Sequence, residues 1–151
     1  MNINRLKQLA EWLEAGAPHE RITFDMSKGI SFKVIESFDP KQIMACKTSC
    51  CMAGAAVQFF NKPEALLRKE LKESPQSFNI GESYELKWLS VKTHAASVLG
   101  LDKEKAELLF EPNYGYDLHK FNDPQWAART IRHLIATGEV DWLSMEVDLP
   151  D

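Results

Sequence analysis

The spacing of apolar residues predicts helices along most of the chain. Near the N-terminus four apolar side chains recur at helical spacing, namely Leu6, Leu9, Ala10 and Leu13. Asn4 is placed to cap this first helix, and Gly16 with Pro18 supplies its stop. We therefore expect a helix to open the chain.

Two short runs then alternate apolar and polar residues. Their apolar members are Ile22, Phe24 and Met26, followed by Ile30, Phe32 and Val34. The intervening Ser27-Lys28-Gly29 suits a turn, so the two runs predict one β-hairpin. A hairpin needs a further element beneath it to be stable, and we expect its apolar face to lie on the helical core.

The most apolar helical stretch runs from Cys50 to Phe60, where Gln58 is the only polar side chain. Thr48 or Ser49 is placed to cap it. A helix that is apolar nearly all round is normally buried, so we expect this one at the centre of the fold. Pro63 suits the start of the next helix. The polar residues of that helix are expected in solvent: Glu64, Arg68, Lys69, Glu70 and Lys72.

The segment 74–82 has no period and contains Pro75 and Gly81, which makes it the best candidate for a long or mobile loop. The pattern then predicts a helix from Tyr84 to Leu99, which Gly100 ends.

Two more helices are predicted in the C-terminal part. Asp102 caps the first, and Asp123-Pro124 starts the second, which Gly138 ends. The rest is a short strand or irregular segment, with 143–151 as an acidic tail. The chain thus reads as mainly α (α+β): one globular domain over residues 1–151, a helical bundle of about five to six helices with one small β-hairpin.

Composition narrows the class of protein. The chain has 151 residues, 44% hydrophobic and 26% charged, which is typical of a soluble globular domain. No apolar run approaches the roughly 18 residues that a membrane span needs, and no signal-peptide core follows the N-terminus. We therefore predict a cytoplasmic protein with no membrane partner.

Charge argues against nucleic acid as a partner. The net charge is −4, and five carboxylates with no Lys or Arg follow Gly138. This acidic end would repel nucleic acid and suits a basic partner, although such charge runs are usually only solvated. The helices on either side of Gly100 are spaced as in a helix-turn-helix, but the second carries mixed charges rather than a basic surplus.

The cysteines are candidates for chemistry. Cys46, Cys50 and Cys51 are the three cysteines of the chain, an odd count that argues against a disulfide scaffold. If Thr48 caps the central helix, Cys50 and Cys51 lie in its first turn, where the helix dipole lowers a thiol pKa. The alternatives are a disulfide from Cys46 to one of the others, or three small buried hydrophobes.

Metals and cofactors are not predicted. A zinc site usually needs two ligand pairs, and the cysteine segment offers one half-site at most. The glycine-rich motifs that cradle phosphates do not occur in the chain.

An aromatic loop is the other candidate for function. Tyr114 and Tyr116 flank Gly115, and His119 follows closely. Tyrosines on such a loop provide the rigid, amphipathic contact area favoured at protein interfaces, although they also suit the edge of a core. We take Tyr114, Tyr116 and His119 as candidate partner-binding residues.

Four scattered blocks of the chain are similar in sequence to other small proteins. They are Cys46-x-Thr48-x-x-Cys51-x-x-Gly54-x-Ala56, Ala95-Ala96 before Leu99-Gly100-Leu101, Leu109-Phe110, and Ile131-x-x-Leu134-Ile135-x-Thr137-Gly138-Glu139-Val140-Asp141-Trp142. Together they resemble small uncharacterised bacterial and phage proteins, which tend to carry C-G-T-x-A-C-x-x-G-x-A at the first block. This chain differs there by Lys47 for Gly and Cys50 for Ala. The resemblance implies a shared fold and a bacterial or phage setting, and no activity.

The sequence therefore predicts a small non-enzymatic protein-binding, regulatory or accessory factor of bacterial or phage origin. The alternative is a cysteine-dependent enzyme or thiol redox switch that uses Cys46, Cys50 or Cys51. A second alternative is a helix-turn-helix-like nucleic-acid binder.

Overall fold

The fold is mainly helical with a small sheet, as predicted. A computed structural model describes residues 1–36, 39–44, 47–112 and 118–146. Within these ranges its α-helices are α1 (Ile3–Glu14), α2 (Pro40–Met44), α3 (Met52–Phe60), α4 (Pro63–Glu73), α5 (Trp88–Leu99), α6 (Lys103–Phe110) and α7 (Pro124–Thr137). Its strands are β1 (Ile22–Phe24), β2 (Ile30–Lys33), β3 (Thr48–Cys50) and β4 (Ser83–Glu85). Single 3₁₀ turns cover Pro75–Ser77, Leu118–Phe121 and Leu143–Met145.

The predicted single hairpin is wrong, because β1 and β2 are not neighbours. The four strands form one mixed sheet in the order β1-β3-β2-β4. The central strand β3 pairs in parallel with β1 and antiparallel with β2, while β4 covers the other side of β2. Alternation along a strand reports which face is buried and does not report which strand lies beside it. The sequence of β3 is also only three residues long, too short to show the alternation that marks a strand.

The start of the central helix also differs from expectation. Thr48 and Ser49 belong to β3 and do not cap a helix, and Cys51 occupies the N-cap position of α3 without a side-chain hydrogen bond. The expected central burial is confirmed, since every residue from Met52 to Val57 is buried.

Gly54 lets α3 approach the sheet closely. A Cβ atom at this position would lie 2.0 Å from the carbonyl oxygen of Gly29 and 2.6 Å from Cβ of Cys50. No side chain fits at such distances. The Cys51 N–H also donates to the Lys28 carbonyl at 2.7 Å. The small residues of this segment thus serve tight packing of helix on sheet.

Several helix boundaries follow the predicted signals. Asp102 and Asp123 cap α6 and α7, and Gly100 and Gly138 end α5 and α7 in the left-handed conformation. At α1 the cap is Asn2, two residues before the expected Asn4. The Asn2 side chain accepts the Arg5 N–H, and its own N–H donates to the Leu99 carbonyl, so a contact with α5 decides where α1 starts.

The predicted helix from Tyr84 is wrong at its N-terminal end, because Tyr84 lies in β4. Its ring stacks on buried Phe78 at 4.0 Å, and its hydroxyl donates to Glu70 at 2.6 Å. Glu70 is itself buried, contrary to expectation, and accepts the Lys87 N–H that begins α5 at 3.0 Å. A buried carboxylate needs such donors. Glu70 therefore ties α4 to both β4 and α5.

The chain after α7 is anchored by a buried tryptophan. Trp142 is fully buried, and its indole N–H donates to the Leu109 carbonyl at 3.2 Å. Its own backbone carbonyl accepts the indole N–H of Trp126 at 2.6 Å. Phe121 stacks on Trp126 in the same cluster. Of the predicted acidic tail, residues 147–151 lie outside the described ranges.

The close approach of α3 to the sheet at Gly54 predicts whether an added methyl group stabilises or destabilises the protein. In an ordinary helix interior, Gly→Ala stabilises by up to about 1 kcal/mol. Here the added methyl group would overlap a backbone oxygen, so we expect Gly54→Ala to lower the free energy of unfolding by about 2 kcal/mol or more, measured by urea denaturation.

Gly81→Ala is the control. Gly81 has positive φ and no atom within 4 Å of an added Cβ, so its substitution costs only backbone strain of about 1 kcal/mol. A Gly54→Ala variant as stable as the parent protein would contradict the proposed packing.

Candidate functional site

The two described cysteines are buried thiols without access to solvent. Cys50 and Cys51 are 0% and 1% exposed, and both are free. Burial raises the pKa of Cys50 well above its ordinary value. Burial also raises the pKa of Cys51 to about 11, although backbone N–H groups of α3 partly oppose the rise. The lowered pKa predicted for these thiols is therefore wrong, because desolvation outweighs the helix terminus. Cys46 lies outside the described residues.

A base hydrogen-bonded to these thiols is missing from the described part of the chain. Thr48 donates its hydroxyl to Gln58 Oε1 at 3.2 Å, and the Gln58 amide near Cys50 only partly offsets the burial effect on the pKa of that thiol. Three histidines have their hydrogen-bond or ion-pair partners elsewhere: His19 on the backbone of Arg21, His94 on the Ser90 carbonyl, and His119 on Asp25. A cysteine nucleophile needs a base within hydrogen-bond reach. Neither thiol is hydrogen-bonded to a described histidine or carboxylate, although the charges of Asp25 and Glu85 lie near enough to add to the rise in the pKa of Cys50 and Cys51, respectively.

His119 belongs to a polar cluster that sequence reasoning did not find. Asp25 follows β1, and its Oδ1 accepts the Ser27 hydroxyl at 2.6 Å and the Asn122 amide at 3.2 Å. His119 Nδ1 lies 3.7 Å from the same oxygen. Asn122 in turn accepts the Met26 N–H at 2.5 Å. Nothing in the sequence joins these groups, because they are about 95 residues apart.

The cluster holds its carboxylate in the charged form. Burial alone would raise the pKa of Asp25. Hydrogen bonds from the Ser27 hydroxyl and N–H and from Asn122, with the charge of protonated His119, outweigh burial and lower this pKa below its ordinary value. The Ser27 hydroxyl donates its hydrogen bond to Asp25 and not to His119. The three residues are therefore not arranged as a nucleophile, base and orienting acid.

Beside this cluster lies a groove of about 620 Å³, which we call the Trp88 groove. Its walls combine apolar side chains, two carboxylates and a cation, from Met26, Ser27, Lys28, Gly29, Glu85, Trp88, Phe110, Glu111, Pro112 and Leu118. Pro112 and Leu118 stand at the two ends of the segment 113–117. The predicted residues Tyr114 and Tyr116 are part of that segment and lie outside the described residues.

The polar groups of the Trp88 groove are held in place. Glu85 accepts the Gly29 N–H at 2.7 Å. Glu111 accepts the indole N–H of Trp88 and lies 3.5 Å from the Lys92 ammonium. The Trp88 ring is half-buried, so one part of it stays available at the groove surface. Such a groove suits an apolar side chain beside a basic group.

The helices of the helix-turn-helix alternative form as predicted, with Gly100 between them. Lys103 and Glu104 are both exposed at the start of α6, so its surface carries mixed charge. This arrangement lacks the basic stripe that phosphate contacts need.

Comparison with known proteins adds no functional assignment. No model of a protein family matches the chain, and neither a curated protein nor a solved structure matches it. Among the described residues, no three His, Cys, Asp or Glu side chains are grouped to hold a metal ion. The helices in the described ranges are all too short or too polar to cross a bilayer.

The Asp25 cluster gives a prediction about pH. Ser27→Ala removes a hydroxyl donor, so the pKa of Asp25 should rise, as followed by NMR titration of its carboxyl carbon. A carboxyl group with a lowered pKa stabilises the fold above its unfolded-state pKa, and this stability is lost as pH falls through the folded-state pKa. The variant should therefore be less stable by about 1 kcal/mol at neutral pH and should approach the parent protein in acid.

Ser31→Ala, in β2, is the control because its hydroxyl has no hydrogen bond in the described part of the chain. An unchanged pKa of Asp25 in Ser27→Ala would refute the role given to this hydroxyl.

Proposed function

We propose that this protein is a small non-enzymatic protein-binding or regulatory factor, and that the Trp88 groove is the centre of its contact with a partner. The observation that carries the proposal is the position of this groove. Its lining includes the half-buried ring of Trp88 together with Pro112 and Leu118, the two residues that flank the aromatic segment 113–117 in the sequence.

The side chains of the groove favour a protein partner. Tryptophan and tyrosine dominate the energetics of many interfaces because they bury a large area and lose little conformational freedom. Trp88 and Leu118 line the groove, Leu118 is 38% exposed, and Tyr114 and Tyr116 belong to the sequence segment between Pro112 and Leu118. His119 follows Leu118 in the sequence and belongs to the Asp25 cluster.

The charges of the groove favour a basic partner segment. Glu85 and Glu111 are fixed by hydrogen bonds, and Lys28 is the one cationic residue among the described lining residues. Lys92 lies outside the lining and balances part of the charge of Glu111, which leaves Glu85 as the main carboxylate for a basic group. The carboxylates after Gly138 add to the negative field of the protein. We therefore propose a partner segment in which an apolar side chain enters beside Trp88 and a basic side chain faces the carboxylates, so that binding weakens with salt.

The buried thiols support a non-enzymatic role over cysteine chemistry. Cys50 and Cys51 are inaccessible, and burial raises the pKa of both. A cytoplasmic, bacterial or phage setting is also part of the proposal, and it rests on the sequence alone.

A photo-crosslinking amino acid at position 118 tests the proposal in cells. We expect it to capture a defined protein, which mass spectrometry identifies, whereas the same group at position 108 does not. Leu108 is the matched control because it is a leucine of similar exposure, 43%, outside the groove.

The affinity of each variant for the captured protein then tests whether the Trp88 groove is the contact site. We expect Leu118→Arg to weaken binding by about tenfold or more and Leu108→Arg to leave it unchanged. Tyr114→Ala and Tyr116→Ala should leave folding intact and also weaken binding. Equal affinities for the two arginine variants, or capture of nucleic acid instead of protein, would overturn the proposal.

A further inference from the structure

A second cavity of about 530 Å³ lies at the other end of β1 and shares no lining residue with the Trp88 groove. We call it the Arg21 cavity. Its walls come from α1, the approach to β1, the end of α2 and the corner between α3 and α4. The volume falls within the range of small-molecule sites in proteins.

One wall of the Arg21 cavity is a set of aromatic rings in mutual contact. Trp12 and Phe59 meet edge to face with ring centres 5.0 Å apart, and Phe60 lies 6.2 Å from Phe59. All three rings are only partly buried, so they leave apolar surface at the cavity. A wall of this kind favours a flat apolar or aromatic group through edge and face contacts.

Other lining residues of the cavity present hydrogen-bond donors. Arg21 donates from Nη1 to the Met44 carbonyl at 2.9 Å, which orients its guanidinium group at the cavity. It forms no ion pair with any described residue. A guanidinium group in this state keeps N–H donors that suit a carboxylate, which it binds through two parallel hydrogen bonds.

His19 adds one more donor to the cavity. His19 Nδ1 accepts the N–H groups of Arg21 and Ile22 at 3.0 and 3.2 Å, so the proton of the neutral ring lies on Nε2. The ring also lies 6.0 Å from Phe59, within the aromatic wall. Gln58 also lines the cavity, but its amide group lies between the Thr48 hydroxyl and the Cys50 thiol, so we do not count it as a donor to the cavity. This part of the cavity is therefore rich in hydrogen-bond donors and favours a ligand with acceptor groups.

The charged residues that line the Arg21 cavity also favour a ligand with a carboxylate group. The charged lining residues are Arg21 and Lys62, which are cationic, and Glu64. The net positive charge is local, since the whole chain carries −4. We propose that the Arg21 cavity binds a small aromatic carboxylate, with its ring against Trp12, Phe59 and Phe60 and its carboxylate on Arg21.

The test is a titration of the ¹⁵N-labelled full chain with 2-naphthoate. We expect saturable shifts of the Trp12 indole N–H and of backbone signals around the Arg21 cavity. The alcohol 2-naphthylmethanol keeps the rings and lacks the charge, so it should bind about tenfold more weakly or worse. Absence of saturable binding, or equal binding of acid and alcohol, would overturn the proposal.

Variants locate the site. Arg21→Gln should weaken 2-naphthoate binding by about tenfold or more, and Lys62→Gln by about twofold to fivefold through the loss of one exposed charge. Arg68→Gln, on the exposed face of α4 outside the cavity, should have no effect. Unchanged affinity in Arg21→Gln would overturn the proposal.

Circular dichroism checks that each variant is folded. If Arg21→Gln unfolds because the Met44 contact is lost, the comparison of Lys62→Gln with Arg68→Gln decides, and equal affinities overturn the proposal. Capture of a partner through position 118 concerns the Trp88 groove alone, so it should persist in every folded Arg21-cavity variant.

Discussion

The close contact between helix α3 and the backbone of residues 28–30 organises the rest of the molecule. Gly54 lies against the Gly29 carbonyl at a distance that excludes any side chain, and the Cys51 N–H bonds to Lys28 at the same place. Strand β3 leads directly into this contact and pairs with β1 on one side and β2 on the other. A displacement of α3 would therefore disturb three strands and the buried helix together.

The two cavities follow from this arrangement because each lies at one end of β1. At one end, residues 25–29 turn beneath α3, carry the Asp25 cluster and form one wall of the Trp88 groove. At the other end, Ile22 and Arg21 face the aromatic corner where α3 meets α4. The same packing seals Cys50 and Cys51 inside the protein, where burial raises the pKa of both thiols. The centre of the fold is thus structural, and the features suited to binding lie around it.

Local chemistry was predictable, and long-range pairing was not. The caps at Asp102 and Asp123 and the stops at Gly100 and Gly138 depend on neighbouring residues, so the sequence alone located them. The sheet order, the cap at Asn2 and the burial of Glu70 depend on partners that are distant along the chain. The same limit applies to the sites. Local composition selected His119, whereas its partner Asp25, together with the lining of both cavities, emerges only when the chain folds.

Alkylation of the thiols under increasing urea tests most directly whether the segment from Cys50 to Gly54 is the packed centre of the protein. Mass spectrometry assigns the modified cysteine, and the unfolding curve is measured in parallel. We expect Cys50 and Cys51 to resist modification in the native protein at neutral pH and to react only as the whole chain unfolds, because both lie in the packed core. Rapid modification of either thiol in the native protein would contradict this account and redirect attention to cysteine chemistry.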